Sequence, residues 1–156
     1  MSKFTYWYVA TPYTRFPAGL EAAFVLAARS AGDLMKEGIP VYAPIAHTHP
    51  VAVYGEMDKV DHDLWVRVDQ PLLDAASGII VVTAESWEIS RGVAHEIRVM
   101  EKSGKPVVYW DPATAIPVAE IRDAMTADER KIAPFKRWTT GAESPWKRFS
   151  PSGEAL

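Results

Sequence analysis

The chain has 156 residues, 48% of them hydrophobic and 24% charged, which describes one globular domain with enough length for a sizeable core. A formal net charge of -3 and a pI near 5.8 lack the basic excess that neutralises a phosphate polymer, which excludes a dedicated nucleic-acid binder while leaving room for a small anion held by two arginines. The absence of cysteine removes disulfides, thiolate metal sites and cysteine nucleophiles, and the absence of both a signal-peptide pattern and a run of ~18 apolar residues sets the expectation of a cytoplasmic protein without membrane contact.

In chain order, the aromatic and β-branched run from Phe4 to Ala10 predicts a buried strand that stops at "TPY". From Pro17 to Glu37 the apolar positions Leu20, Phe24, Leu26, Ala27, Leu34 and Met35 recur at helical spacing, and Gly38 ends the run. "IPVYAP" predicts a second, short strand, which empties into a loop, "IAHTHPVAVYGEM". The next segment, "DKVDHDLWVRVDQPLLDAAS", places Val60, Leu64, Val68 and Leu72 on one stripe of a helix bent at Pro71. Gly78 to Val82 reads as a third strand, apolar throughout because both of its faces are covered.

Ser90 to Ser103 predicts a helix with Ser90 as its N-cap and Gly104 at its end. "KPVVYW" is a fourth strand and "DPATAIPVAEIRDAM" opens a last helical region. Strands alternating with crossover helices imply a parallel sheet of four or five strands in an α/β, flavodoxin-like three-layer sandwich. This domain is expected to span residues 1–138. Residues 139–156, rich in Gly, Ser and Pro, read as an extended or partly disordered tail with Trp146 and Phe149 as anchors.

Ligands of an open parallel sheet collect beyond the carboxyl ends of its strands. That rule gathers the loops "TPYTR", "APIAHTH", "TAESWEISRG" and "WDPAT" around one site. At the third loop the free amides of a helix start, the Ser90 hydroxyl and the positive end of the dipole suit an anion. Glu96 shares a helix face with Gly92 and Val93, and the missing side chain at Gly92 leaves either room for a ligand or a close approach of helix to sheet. Asp69 lies among apolar neighbours late on the preceding helix, where an acid needs a partner or a purpose; a solvated helix face is the other reading. Tyr8 is a core residue or, being near the end of strand one, part of the site. His47 and His49, with Asp61, His62 and Asp63, are a weak metal-ligand pattern, because no third imidazole stands at a fixed spacing.

Taken together, "YVATPYTR", "DQPLLDAASGIIVV" and "WEISRGVAHE" resemble the nucleoside 2-deoxyribosyltransferase family, including its relatives that hydrolyse the N-glycosidic bond of 2'-deoxynucleoside 5'-monophosphates. The resemblance covers roughly residues 6 to 110. It implies Glu96 as nucleophile, Asp69 as the acid/base partner of the leaving base, and Tyr8 as the hydroxyl that orients the nucleophile. It further implies Ser90 and Arg15 at a 5'-phosphate and His47 near the substrate. Two positions depart from the family pattern: Ser77 stands where many relatives carry an acid, and Arg15 lies one residue further from Tyr8 than in the relatives.

The chemistry agrees with these residue types. Departure of a base from C1' passes through an oxocarbenium-like state that a carboxylate stabilises and traps, and the base leaves with a proton from a second carboxyl. Water then gives hydrolysis, and a second base gives transfer. Ser90, Arg91 and Arg15 favour phosphorylated substrates and hence hydrolysis. No cofactor is implied. Relatives in this family are dimers or larger assemblies in which a neighbour's C-terminal segment closes the site, so a homodimer or higher homo-oligomer is expected, as are the aromatics Trp65, Trp146 and Phe149 at interfaces. The rival readings are a nucleotide-sensing module without turnover and a metal-dependent hydrolase built on His47, His49 and the "DHD" carboxylates.

Overall fold

The computed structural model describes residues 5–131. Its four strands are β1 (Trp7–Ala10), β2 (Val41–Tyr42), β3 (Gly78–Val82) and β4 (Val107–Trp110), and its helices are α1 (Leu20–Lys36), α2 (Pro44–Tyr54), α3 (His62–Ala75), α4 (Arg91–Lys102) and α5 (Val118–Ala124). All strand pairs are parallel, in the order β2-β1-β3-β4, so β1 and β3 are central. The architecture is a flavodoxin-like α/β three-layer sandwich, as the alternation of strands and helices implies.

Side chains alternate across the sheet and divide the core in two. Trp7, Val9, Ile80, Val82, Val108 and Trp110 pack with Ala31 and Leu34 of α1 and with Ile121 and Met125 beyond it. Tyr8, Ala10, Ile79 and Val81 pack on the opposite face with Leu73 of α3 and with Val93 and Met100 of α4. Helix α1 turns mostly small residues inward: Ala23, Ala27, Ser30, Ala31 and Leu34 are buried while Met35 is 40% exposed. At the start of β3, a Cβ on Gly78 would lie 2.8 Å from the Trp7 ring, so only glycine fits beneath that indole.

Two sequence expectations are corrected. Residues 44–54 form a helix, not a loop. Pro44 occupies its first turn, where no amide is needed, and the helix continues through Pro50. In α3 the stripe Val60–Leu64–Val68–Leu72 is not the inward one: Val60 is 46% and Val68 42% exposed, whereas Leu73 is buried. Asp61 caps α3, its side chain accepting from the Leu64 amide at 3.0 Å, so Val60 precedes the helix. The inward face therefore carries Trp65, Asp69 and Leu73, spaced by four. Both prolines in these helices are accommodated, and Pro71 lies within α3.

Residue Phe4, Trp146 and Phe149, and the whole expected tail of residues 139–156, lie outside the described residues. Ser77 sits at the start of β3, the sheet end remote from the strand carboxyl termini, and donates to the buried carboxylate of Glu129 at 2.5 Å. Among the described residues no helix is long and apolar enough to cross a membrane.

Candidate active site

Tyr8 is an even position on β1, so it faces the layer that holds α3 and α4. Glu96 reaches the same place from α4, one turn after Gly92 and Val93, and Asp69 reaches it from the inward face of α3. The three line one cavity of about 260 Å3 that opens beyond the carboxyl end of β1. The hydroxyl of Tyr8 donates to Glu96 Oε1 at 3.0 Å, and Glu96 Oε2 is shut off from solvent with no described partner. Tyr42, on β2, donates to Asp69 Oδ1 over a long 3.4 Å.

Burial sets the electrostatics of this group. It pushes the Glu96 carboxyl up to about 8, against the Tyr8 hydrogen bond and with help from the nearby charge of Asp69. Burial also raises Asp69 to about 6, opposed by the Tyr42 hydrogen bond and the field of His47. Tyr8 is held well above an ordinary phenol by burial and then by Glu96 and Asp69. Both carboxyls are thus raised above their ordinary values, and a proton held between them belongs to the pair.

The anion end lies at the start of α4. Ser90 caps the helix, accepting from the Val93 amide at 3.4 Å. A Cβ on Gly92 would meet nothing nearer than Ser90 Oγ at 3.9 Å, which decides between the two readings of this glycine: it leaves space, and no sheet atom presses on it. Arg15 and Arg91 are exposed at the cavity rim, where Lys59 is half-buried, and none of the three forms an ion pair among the described residues. The spacing of Arg15 from Tyr8 therefore does not remove it from the site.

His47 is the expected residue that the cavity does not include. It lies on α2, exposed and outside the cavity lining, with its ring 6.2 Å from that of Tyr42 and near enough to Asp69 for its field to act there. His49, two residues on, is buried and lines the cavity instead, bonded through Nδ1 to Tyr13 at 2.7 Å and through Nε2 to Glu21 at 3.0 Å. The two imidazoles thus diverge, and among the described residues no three His, Asp or Glu side chains cluster as metal ligands.

Sequence reasoning missed Tyr13, Thr11, Tyr42 and the His95–Gln70 pair. His95 Nε2 and Gln70 Oε1 are 2.9 Å apart at the cavity wall, with Gln70 fixed by a 2.8 Å bond to Asp74. Thr11, directly beyond β1, is buried, and its hydroxyl has no partner among the described residues. Tyr13 and Thr11 were signalled by the loop "TPYTR"; nothing in the local pattern pairs Gln70 with His95 across two helices.

A family model described as a domain of unknown function (DUF1937) matches residues 5–112. The chain belongs to this family. The matched residues take in β1 through β4 and every cavity residue named above. No curated protein matches the sequence.

Proposed function

We propose that this DUF1937 protein is an N-glycosidase or deoxyribosyltransferase that cleaves the N-glycosidic bond of (deoxy)nucleosides or their 5'-monophosphates in the cytoplasm. The observation that carries the reading is the Tyr8–Glu96–Asp69 group: a carboxyl fixed by one hydrogen bond, with its second oxygen buried and without a partner among the described residues, beside another carboxyl of different affinity for protons. Two carboxyls whose environments separate them divide naturally into an acid and a nucleophile.

In the productive form Glu96 is ionised and Asp69 carries the proton. As the bond from C1' to the base breaks, the base takes the electron pair and the proton of Asp69, and a Glu96 oxygen bonds to C1'. Water or an incoming base then displaces Glu96, giving up its own proton to Asp69. Positive charge developing on the sugar favours the Glu96 anion, which draws the shared proton toward Asp69. Ser90 and Gly92 at the helix start, with Arg15 and Arg91 at the rim, suit a 5'-phosphate, and this supports monophosphates and hydrolysis.

The apolar side chains on the outer surface of α2 and α3 support a homodimer or higher homo-oligomer. Val53 and Tyr54 of α2 and Val68 of α3 are exposed, Tyr54 at 88%, as are Met57 and Val60 in the segment between the helices. Incubation with a panel of nucleosides and 5'-monophosphates, followed by chromatography for free base, tests the activity. Ligand binding without base release from any member would replace it with the non-catalytic nucleotide-binding reading.

A further inference from the structure

Tyr13, His49 and Glu21 come from three elements and form a chain from the cavity to solvent that the chemistry above does not use. His49 is 4% exposed, its ring stacked on Phe24 at 4.8 Å and 13°, so it has no freedom to rotate. Glu21, at 78% exposure, offers a carboxylate to Nε2 at 3.0 Å. A carboxylate only accepts, and a neutral imidazole has one donor and one acceptor. With the imidazole neutral, Nε2 therefore bears the ring proton, and Nδ1 takes the hydroxyl proton of Tyr13 at 2.7 Å. What Tyr13 shows to the cavity is an oxygen with lone pairs and no proton to give.

The strand order fixes which part of a substrate meets that oxygen. Helix α4, with Ser90 and Gly92, follows β3 on one side of β1, and α2 follows β2 on the other. A 5'-phosphate at the start of α4 and a sugar over Glu96 direct the base to the α2 side. The wall there consists of Tyr13, Ile45, Thr48, His49 and Ala52. Thr48 spends its hydroxyl proton on the Pro44 carbonyl at 2.9 Å, and His49 is committed at both nitrogens.

We infer that Tyr13 is a specificity-determining hydrogen-bond acceptor, set in that state by His49 and Glu21, and that it selects substrates whose base presents an amino group over those presenting a carbonyl at the same place. This rests on the proposed N-glycosidase reading and names the substrate class of that site. A base amino group donates to Tyr13, whereas a base carbonyl sets two acceptors against each other. One such buried bond made or lost corresponds to roughly tenfold in affinity or in kcat/KM.

The test compares two pairs differing only by amino against carbonyl: deoxycytidine with deoxyuridine 5'-monophosphate, and deoxyadenosine with deoxyinosine 5'-monophosphate. The full chain is expected to prefer the amino member of at least one pair by about tenfold in kcat/KM. Tyr13→Phe should bring that ratio close to one. Glu21→Gln, a change at an exposed side chain, should also lower it, because an amide can donate to Nε2, move the ring proton to Nδ1 and turn the Tyr13 proton into the cavity. A wild-type ratio of one or below, or a ratio unchanged by both substitutions, overturns the inference while leaving the glycosidase reading intact. Equal losses for both members in Tyr13→Phe would give Tyr13 to a sugar hydroxyl and overturn it too. If no base is released at all, the glycosidase reading fails, and the same ratios read as affinities by calorimetry still decide the role of Tyr13.

Discussion

The hydroxyl of Tyr8 donates to Glu96 Oε1 at 3.0 Å while Oε2 of the same carboxyl is buried without a described partner. One oxygen is thus fixed by β1 and the other is left for a ligand. Glu96→Gln keeps the shape and removes the anion, so base release should fall by several orders of magnitude, about 10³-fold or more, while nucleotide affinity changes little. Tyr8→Phe frees Oε1 and should lower kcat by about 10- to 100-fold with a smaller effect on KM. Single-turnover assays and calorimetry on the three proteins check both outcomes; near-wild-type turnover in Glu96→Gln would remove the nucleophile.

The two carboxyls also set the pH profile. With Asp69 raised to about 6 and Glu96 to about 8, the pair is singly protonated between those values, and kcat/KM should be bell-shaped with limbs near them. Asp69→Asn takes away the proton donor and the negative charge that helps to raise Glu96. Its profile should lose the alkaline limb and keep an acid limb displaced below 8, with the largest losses for bases that leave poorly. A bell that survives in Asp69→Asn would assign the proton to another group.

The same shifts predict how stability depends on pH. Both folded-state values lie above the ordinary ones of 4.5 for Glu96 and 3.8 for Asp69, so the folded protein binds more protons than the unfolded chain. Their contribution is fully present below the unfolded values and is lost as pH rises through about 6 and then about 8. Glu96→Gln, which has no charge to bury, should therefore melt several degrees above the wild type at pH 9, and the gap should close toward pH 5. A gap that does not change with pH would mean that the substitution acts through packing and not through ionisation.

Legibility in the sequence followed the range of the physics involved. The cap at Ser90, the stop at Gly104 and the apolar β3 are local, and each stands where propensity and pattern put it. The loop expected over residues 45–57 is helix α2 because packing against α1 overrides the local preference of two prolines and two histidines. In α3 the hydrophobic pattern itself misled, since Leu64, Val68 and Leu72 continue an apolar spacing from Val60, which precedes the helix, while the inward face carries Asp69 between Trp65 and Leu73. For Tyr8, Asp69 and Glu96 strand parity and helix periodicity left a core or solvated reading open, and it was the resemblance that singled the three out; the cavity brings them together. The Tyr13–His49–Glu21 chain could not be read from the sequence, because its members meet only once α2 exists.

That outer stripe carries its own prediction. Val60, Val68, Val53 and Tyr54 lie exposed around the end of α2 and the outer side of α3, a surface that favours contact with a second copy. Light scattering of the full chain should give a dimer or larger mass, and Tyr54→Lys with Val68→Lys should reduce it to the monomer. A monomeric full-length protein would reject the assembly, and a chain ending at Thr140 with unchanged mass and activity would remove the C-terminal segment from the mechanism.

The anion end separates phosphorylated from unphosphorylated substrates. Arg15 and Arg91 are exposed at the rim and form no ion pair among the described residues, so replacing either should leave the fold intact. Each Arg→Ala change should weaken 5'-monophosphates by about tenfold, since a charge-assisted hydrogen bond is worth more than a neutral one, and should leave the parent nucleosides nearly untouched. Ser90→Ala removes a phosphate contact and also the cap of α4, at a cost of about 1 kcal/mol to the helix. Ser90→Asp separates the two roles, because aspartate caps as well as serine but repels a phosphate. It should preserve the melting temperature and nucleoside binding while abolishing measurable binding of monophosphates. Equal weakening of both ligand classes by these substitutions, read by calorimetry on paired ligands, would mean that the start of α4 holds some other part of the substrate.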